Sequence, residues 1–180
     1  MTELVASFIE TPVGRLRLVA NERALVAVQF PRDHDDEIPV VKNHPVLTQT
    51  RRELEEYFAG KRTVFTVRLE AHGTPFQRKV WNALSAIPFG ETCSYGDIAR
   101  AVGSAGAVRA VGSANGKNPH AIIVPCHRVI QTGGALGGYG GGLPQKVWLL
   151  DLEKSWPKKV NANRSRTRSS ARGSEGTARQ

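Results

Sequence analysis

Residues 94–114 read SYGDIARAVGSAGAVRAVGSA and decide the fold of the second half of the chain. Ser94, followed three residues later by Asp97, is typical of a capping box, so a helix is expected from here to about Val102. Small residues at 103–106 predict a tight turn, and 107–114 predict a second helix. Two helices joined by a short glycine-containing turn indicate a helix-turn-helix.

The sequence on either side of this motif is also mostly helical in pattern. Thr74 is followed by Pro, which predicts a helix start, and the apolar face of that helix comprises Phe76, Val80, Trp81, Leu84 and Ile87. Residues 122–124 are apolar and predict a short strand. Seven of the ten residues 133–142 are Gly, which predicts a flexible stretch, and Pro144 opens a last helix.

The first part of the chain predicts strands and one helix. Apolar and polar residues alternate, which predicts strands over 5–9, 15–20, 25–30 and 63–69. Pro45 opens a helix whose apolar residues repeat at helical spacing until Gly60. The fold class is therefore α+β. We expect a structural domain at 1–72, a functional domain at 73–156 and a tail at 157–180.

Charge gives the first indication of a partner. The 180 residues include 25 Lys and Arg against 16 Asp and Glu, a formal net charge of +9. Residues 157–180 contain seven basic residues, one acidic residue and few hydrophobic ones, which predicts a disordered basic tail of net charge +6. A basic balance favours nucleic acid as partner, and a solvated basic surface without a specific partner is the alternative.

Several classes of protein are excluded by composition. The chain has no run of 18 apolar residues, so we expect no membrane span. Its N-terminus lacks the basic and apolar segments of a secretory signal. Cys93 and Cys126 are its two cysteines, too few for a disulfide framework or a four-cysteine zinc site. These features predict a soluble, cytoplasmic protein that holds no metal.

Cys126 and His127 form a candidate reactive pair. A thiol becomes a good nucleophile when it loses its proton, and an adjacent base promotes that loss. The alternative is a buried cysteine beside an incidental histidine. Because neighbours on a strand point to opposite faces, contact between the two side chains needs a kink after Pro125 or a bridging water.

The second helix of the helix-turn-helix is nearly free of bulky side chains, and Arg109 is its one large group. Small residues let helices pack closely, which is one explanation. They would also let a helix approach the narrow minor groove of DNA. Arg109 could then fill the space left by an extruded base.

Residues 124–130, VPCHRVI, resemble the active-site signature of the O6-alkylguanine-DNA alkyltransferases, also called methylated-DNA–protein-cysteine methyltransferases. The resemblance extends over about residues 1–155 and is stronger from Thr74 onward. It includes Tyr95, Arg109 in RAVGSAN, Asn118-Pro119, Tyr139 in GGYGGG, and Trp148-Leu149-Leu150 before Glu153. It implies an N-terminal domain of ribonuclease-H-like strands plus a helix, and a mostly helical C-terminal domain.

The resemblance also implies roles for single residues. Cys126 would accept the alkyl group, His127 would act as base through a water, and Glu153 would orient and charge His127. Asn118 would hold the active-site turn, and Tyr95 would donate a proton or a hydrogen bond to N3 of the flipped guanine. The implied DNA contacts are Arg109, Ala110, Ser113, Ala114 and Asn115. The implied guanine pocket comprises Val129, Tyr139, Gly140 and Lys146.

The implied activity is irreversible, single-turnover transfer from O6-alkylguanine, and from O4-alkylthymine, in double-stranded DNA by a monomer without a cofactor. The sequence departs from some relatives at two points. Gly140 stands where a serine helps bind the guanine oxygen, so here only a backbone amide can do so. Residues 1–70 contain no cysteine, so the zinc site of some relatives is not expected.

Two other functions compete with this hypothesis. A sequence-specific helix-turn-helix regulator would need base-reading side chains, and the second helix offers little beyond Arg109 and Asn115. A thiol hydrolase would need a distant histidine and an oxyanion hole. The candidate histidines show no supporting pattern: His34, His44, His72 and His120.

Overall fold

The computed structural model describes residues 3–31 and 37–155. The predicted tail at 157–180 and His34 lie outside the described residues. The regular elements are, in chain order, β1 (Val5–Thr11), β2 (Gly14–Ala20), β3 (Leu25–Gln29), α1 (Pro45–Phe58), α2 (Pro75–Ser85), β4 (Cys93–Ser94), α3 (Tyr95–Ala101), α4 (Val108–Gly116), a 3-10 turn (Cys126–Arg128), β5 (Val129–Ile130) and α5 (Leu143–Ser155). This is the predicted α+β class, with a small N-terminal sheet and a mostly helical C-terminal part.

The first three strands form an antiparallel meander in the order β1-β2-β3. Because side chains alternate across a strand, Leu16 and Leu18 of β2 point to one face and bury there completely. Helix α1 packs on this sheet through Leu54 and Tyr57, which are also fully buried. The core between sheet and helix is therefore made of residues that the alternation and the helical spacing predict.

The strand predicted over 63–69 is wrong. This segment makes a single bridge to the sheet, between Leu69 and Leu25. The backbone amides of Thr66 and Val67 donate to the carboxylate of Glu53 on α1, at 2.8 and 3.2 Å. Because a side chain takes these donors, the segment cannot form the hydrogen-bond ladder that its alternating pattern suggests.

The C-terminal helices begin at the predicted caps. Thr74 and Ser94 each accept a hydrogen bond from the third residue of the helix that follows, and each closes a capping box. Helices α3 and α4 are joined by a tight turn, with Gly103 at φ +74°. Trp81 of α2 donates its indole N–H to the carbonyl of Ala114 on α4, at 2.8 Å, and so fixes α4 against α2.

The strand predicted over 122–124 is also wrong, because these residues form a turn. Ile122 has φ +72°, a conformation that a β-branched residue adopts only when its surroundings impose it. Its side chain is buried in the same core as Leu16 and Leu18 of the sheet. The hydrophobic core of the N-terminal half therefore packs against this turn and stabilises it.

No helix within residues 3–31 and 37–155 is both long enough and apolar enough to cross a membrane. Over the same residues, no group of three or more His, Cys, Asp or Glu side chains is arranged to hold a metal ion.

Candidate active site

The turn before Cys126 is held by hydrogen bonds from both halves of the molecule. Asn118 donates to the carbonyl of Val124 at 2.8 Å and accepts from the amide of His120 at 3.0 Å. Strand β3 contributes two backbone bonds: Val28 donates to Pro119, and Ala121 donates to Val28, at 2.8 and 2.9 Å. The N-terminal sheet thus extends into the active-site turn and fixes its position.

Cys126 begins the 3-10 turn and is only 7% exposed. The alternation of side chains along a strand therefore does not apply to Cys126 and His127. Burial raises the pKa of the Cys126 thiol, whereas Asn118, Lys146 and nearby backbone amides act against that rise. A thiol in this environment keeps its proton at neutral pH unless a base removes it.

His127 is fully buried and bonds Glu153 of α5, with 2.7 Å between Nε2 and Oε1. Because a carboxylate only accepts, Nε2 carries the proton and Nδ1 carries a lone pair. Nδ1 is buried and has no hydrogen-bond partner among the described residues. Burial lowers the pKa of His127, although Glu153 raises it, so the ring is neutral and able to accept a proton.

Glu153 has partners that the sequence did not indicate. Arg128 donates to both carboxylate oxygens, from Nε at 2.8 Å and from a terminal nitrogen at 3.0 Å. The hydroxyl of Tyr57, on α1, donates to Oε1 at 2.7 Å, and the amide of Gly90 donates to Oε2 at 3.3 Å. Burial would raise the pKa of Glu153, but the hydrogen bonds and charges of His127 and Arg128 outweigh it and lower the pKa to about 2. Arg128 lies in the VPCHRVI stretch, whereas Tyr57 looked like an ordinary core residue.

A cavity of about 880 Å³ opens in front of Cys126. Tyr95, Asn115 and Asn118 line it from the C-terminal half, and Val28, Phe30 and Pro31 line it from the N-terminal half. Burial raises the pKa of Tyr95, as does the nearby Cys126, so Tyr95 keeps its phenol proton and can donate it. A cavity of this size accommodates one purine base with its alkyl group.

The four residues of the predicted guanine pocket divide into two pairs. Tyr139 and Gly140 line the cavity, whereas Val129 and Lys146 lie behind it and are fully buried. The Lys146 ammonium donates to the carbonyls of Val129, Leu136 and Gly138, at 2.6, 2.5 and 3.2 Å. Lys146 does not line the cavity. It stabilises the conformation of the glycine-rich segment through its hydrogen bonds to the Leu136 and Gly138 carbonyls.

The glycine-rich segment also approaches Tyr95 closely. Gly137 has φ +69°, and a Cβ atom at this position would lie 3.1 Å from the Tyr95 ring. Glycine is the residue that accepts both this conformation and this contact. The segment predicted to be flexible is thus packed against the wall of the cavity.

The five predicted DNA contacts do not all lie on the exposed face of helix α4. Arg109, Ala110 and Ser113 are exposed on its outer face. Ala114 and Asn115 are 2% and 6% exposed, so they do not belong to that face. Ala114 packs in the helical core, and Asn115 lines the cavity, where its Oδ1 is buried without a hydrogen-bond partner among the described residues.

The three remaining described histidines do not offer a second base. His120 is buried and bonds the carbonyl of Leu25 at 3.0 Å. His44 lies in the N-terminal half, and His72 lies at the end of that half. Neither of them lines the cavity.

Two family models match nearly the whole described chain. The ribonuclease-like domain of 6-O-methylguanine DNA methyltransferase matches residues 4–71, and the DNA-binding domain of the same family matches residues 75–155. A methylated-DNA–protein-cysteine methyltransferase from Methanosarcina acetivorans is 47% identical over 152 residues, which cover 83% of this chain and 97% of the relative. A protein of the same name from Mycobacterium leprae is 46% identical and covers 81% of this chain and 90% of the relative.

Solved structures agree with these matches. The O6-methylguanine methyltransferase of Mycobacterium tuberculosis superimposes with a TM-score of 0.79 at 44% identity, covering 88% of this chain and 96% of that one. The same organism's OGT in complex with DNA gives a TM-score of 0.78 at 45% identity, covering 85% and 93%. Fold and site together define a DNA-repair methyltransferase that carries its own acceptor cysteine. The chain belongs to the methylated-DNA–protein-cysteine methyltransferase family.

Proposed function

We propose that Cys126 is the residue that accepts the alkyl group from O6 of guanine in DNA. The observation that carries this assignment is the chain of buried groups behind the cavity. Glu153 bonds Nε2 of His127, and Nδ1 of His127 is left with an unused lone pair next to the cysteine turn. Cys126 itself lines the cavity. This order of acid, base and nucleophile is the one that activates thiols in other proteins.

The reaction is an in-line displacement at the alkyl carbon. The thiol proton of Cys126 passes through a water to Nδ1 of His127, and Glu153 stabilises the resulting imidazolium. The new C–S bond forms as the C–O bond to guanine O6 breaks. Tyr95, whose phenol keeps its proton at neutral pH, donates a hydrogen bond to N3 of the guanine, so the base leaves without a full negative charge.

The product is a thioether on Cys126, and the protein is consumed in one turnover. Reversal would require a nucleophile to attack the alkyl carbon and expel the Cys126 thiolate. The thioether is uncharged and has no proton, so the proton relay through water, His127 and Glu153 cannot activate that step. Asn118 keeps the turn in place during the step through its bonds to Val124 and His120.

Helix α4 brings the target base to the cavity. The outer face of α4 presents Ala110 and Ser113 around Arg109, and such a small-residue surface fits an opened minor groove. Arg109 takes the place of the extruded base in the stack, while the base enters the cavity. Unstacking costs a few kcal/mol, which a cation inserted at the vacated position partly offsets.

The remaining assignments follow from this activity. O4-alkylthymine is a second substrate because it also carries its alkyl group on an exocyclic ring oxygen. The protein works as a monomer in the cytoplasm, where a bacterial cell keeps its DNA. Residues 1–72 form the structural domain, residues 73–156 the catalytic and DNA-binding domain, and the basic residues 157–180 contact phosphates.

The assignment of Cys126 is tested by intact mass after incubation with duplex DNA that holds one O6-methylguanine. One methyl, about 14 Da, is expected per chain, on the peptide that contains Cys126. Cys126→Ser should lose transfer, because a serine hydroxyl ionises far less readily, and should still bind the DNA. The matched control is Cys93→Ser, because the half-buried Cys93 thiol has a pKa raised to about 11 by burial and by Asp97. Repeated turnover, or a label on Cys93, would overturn the assignment.

The role of Arg109 is tested by comparing two substrates. Arg109→Ala should slow repair of duplex DNA by a factor of about 5–150, corresponding to a loss of roughly 1–3 kcal/mol of support for the flipped base. Its rate with free O6-benzylguanine should not change, because no base needs to be extruded. Arg52→Ala removes an exposed charge from α1 and serves as the control. Equal slowing of Arg109→Ala on both substrates would contradict base extrusion as its role.

A further inference from the structure

The carboxylate of Glu153 is shared between the two halves of the molecule. Its Oε1 atom accepts from His127 at 2.7 Å and also from the hydroxyl of Tyr57 at 2.7 Å. Tyr57 lies on α1, 96 residues away in sequence, in the half of the chain that carries no motif of its own. With a terminal nitrogen of Arg128 at 3.0 Å, three buried donors therefore share this one oxygen.

The position of the Tyr57 hydroxyl is fixed by its surroundings. Tyr57 is fully buried, and its ring packs against Phe65 and Phe89, with centroid distances of 5.6 and 6.2 Å. Burial and the charge of Glu153 raise the pKa of Tyr57 well above its usual value, so the hydroxyl remains a donor at every pH at which the protein works. A buried hydroxyl needs a partner, and Glu153 is the partner it has.

We propose that Tyr57 is a positioning residue for the His127–Glu153 relay, and that its hydroxyl limits how strongly Glu153 stabilises the imidazolium that forms when Nδ1 of His127 takes the proton from Cys126. The proposal rests on the function assigned above to His127 and Glu153. By taking part of the charge on Oε1, Tyr57 keeps His127 neutral before the reaction. Its hydrogen bond to Oε1 also helps to fix the carboxylate within reach of Nε2 of His127.

Removing the hydroxyl should make His127 a stronger base. The charged and titratable groups around His127 are Glu153 and Lys146 of α5, Arg128 and Cys126 of the turn, and Tyr139 of the glycine-rich segment. All of them stay in place when only the Tyr57 hydroxyl is removed. Oε1 would then serve His127 with less competition, and His127 would become protonated, and inactive as a base, at a higher pH.

The test is the pH dependence of a single turnover with free O6-benzylguanine in Tyr57→Phe, which keeps the ring and loses one oxygen. The acid midpoint of the rate should rise by roughly half a unit to one unit, since a hydrogen bond to a charged group is equivalent to about one to two pH units and part of it passes to His127. At a pH below that midpoint the variant should therefore be about 3- to 10-fold slower. Binding of duplex DNA should not change.

The matched control is Phe65→Leu, which loosens the packing around the Tyr57 ring without touching Glu153. It should lower the thermal unfolding temperature and leave the acid midpoint where it is. An unmoved midpoint in Tyr57→Phe, or a uniform loss of rate at every pH, would overturn the proposal. Glu153→Gln separates this outcome from a failure of the relay: if that variant also reacts at the wild-type rate, the roles of His127 and Glu153 are wrong as well.

Discussion

Among residues 3–31 and 37–155, each half of the molecule buries one carboxylate, and the two differ in the groups that donate to them. Glu53 of α1 is fully buried and accepts from the amides of Thr66 and Val67 and from the side chain of Gln49, at 2.8, 3.2 and 2.9 Å. Glu153 of α5 is 4% exposed and accepts from an imidazole, a guanidinium, a phenol and an amide.

This difference separates a structural carboxylate from one that can take part in chemistry. Burial alone would raise the pKa of both groups, and in both cases hydrogen bonds reverse the effect and lower it. The donors to Glu53 are neutral and keep their protons, so the only consequence is a fixed loop. One donor to Glu153 is His127, an imidazole that can gain a proton, so the charge on Glu153 controls a base.

The largest expected effect comes from removing the charge in the C-terminal half. Glu153→Gln keeps the size of the side chain but cannot stabilise an imidazolium. The single-turnover rate with O6-benzylguanine should fall by about 10²-fold or more, the usual contribution of general base catalysis. The variant also leaves Arg128 buried without its counter-charge, so the free energy of unfolding should fall by about 3 kcal/mol. Mass spectrometry of quenched samples and urea unfolding measure the two effects.

The same change in the N-terminal half should affect stability alone. Glu53→Gln weakens the bonds to Thr66 and Val67, and the free energy of unfolding should fall by roughly 1–3 kcal/mol, as for hydrogen bonds to a charged group. Below the unfolding transition its transfer rate should stay within about twofold of wild type, because no group in the relay changes. A loss of rate comparable to that of Glu153→Gln would show that the comparison between the two carboxylates is mistaken.

The smallest effect is expected in the acid stability of these variants. Burial lowers the pKa of His120 and His127, so the unfolded chain binds protons that the native protein does not, and stability declines as pH falls below about 6.5. Glu53 and Glu153 have lowered pKa values, so their contributions are complete above about 4.5 and are lost as pH falls further, for Glu153 toward about 2. Glu153→Gln should therefore lose about 1 kcal/mol less than wild type between pH 4.5 and 3.5, and Glu53→Gln should also lose less than wild type. Urea unfolding at the two pH values measures this difference, and equal losses in all three proteins would contradict the lowered pKa values.

Much of the candidate site could be predicted because its signals are local. Cys126 and His127 are consecutive, and the caps at Thr74 and Ser94 depend on residues three positions away. Capping and turn formation are decided by such near neighbours, which a sequence displays directly. The α+β class follows in the same way from the change of apolar period between the two halves.

The wrong predictions share a different cause. Residues 63–69 and 122–124 have strand-like apolar patterns, yet Glu53 takes the amides of the first segment, and the second turns through a strained Ile122. In both cases a distant partner outweighs a local preference. The buried face of α5 includes Lys146 and Glu153, whose place in the site was implied by the resemblance and not by the hydrophobic pattern.

The sequence by itself determined the class of fold, the starts of the C-terminal helices and the reactive pair, because each is specified by neighbouring residues. Only the tertiary structure decided which groups surround that pair. It placed Val28 and Tyr57 of the N-terminal half against the active-site turn and Glu153, and it turned Asn115 into the cavity rather than toward solvent. These contacts join residues as far as 96 positions apart, and they exist because the sheet, α1 and α5 bury one common core.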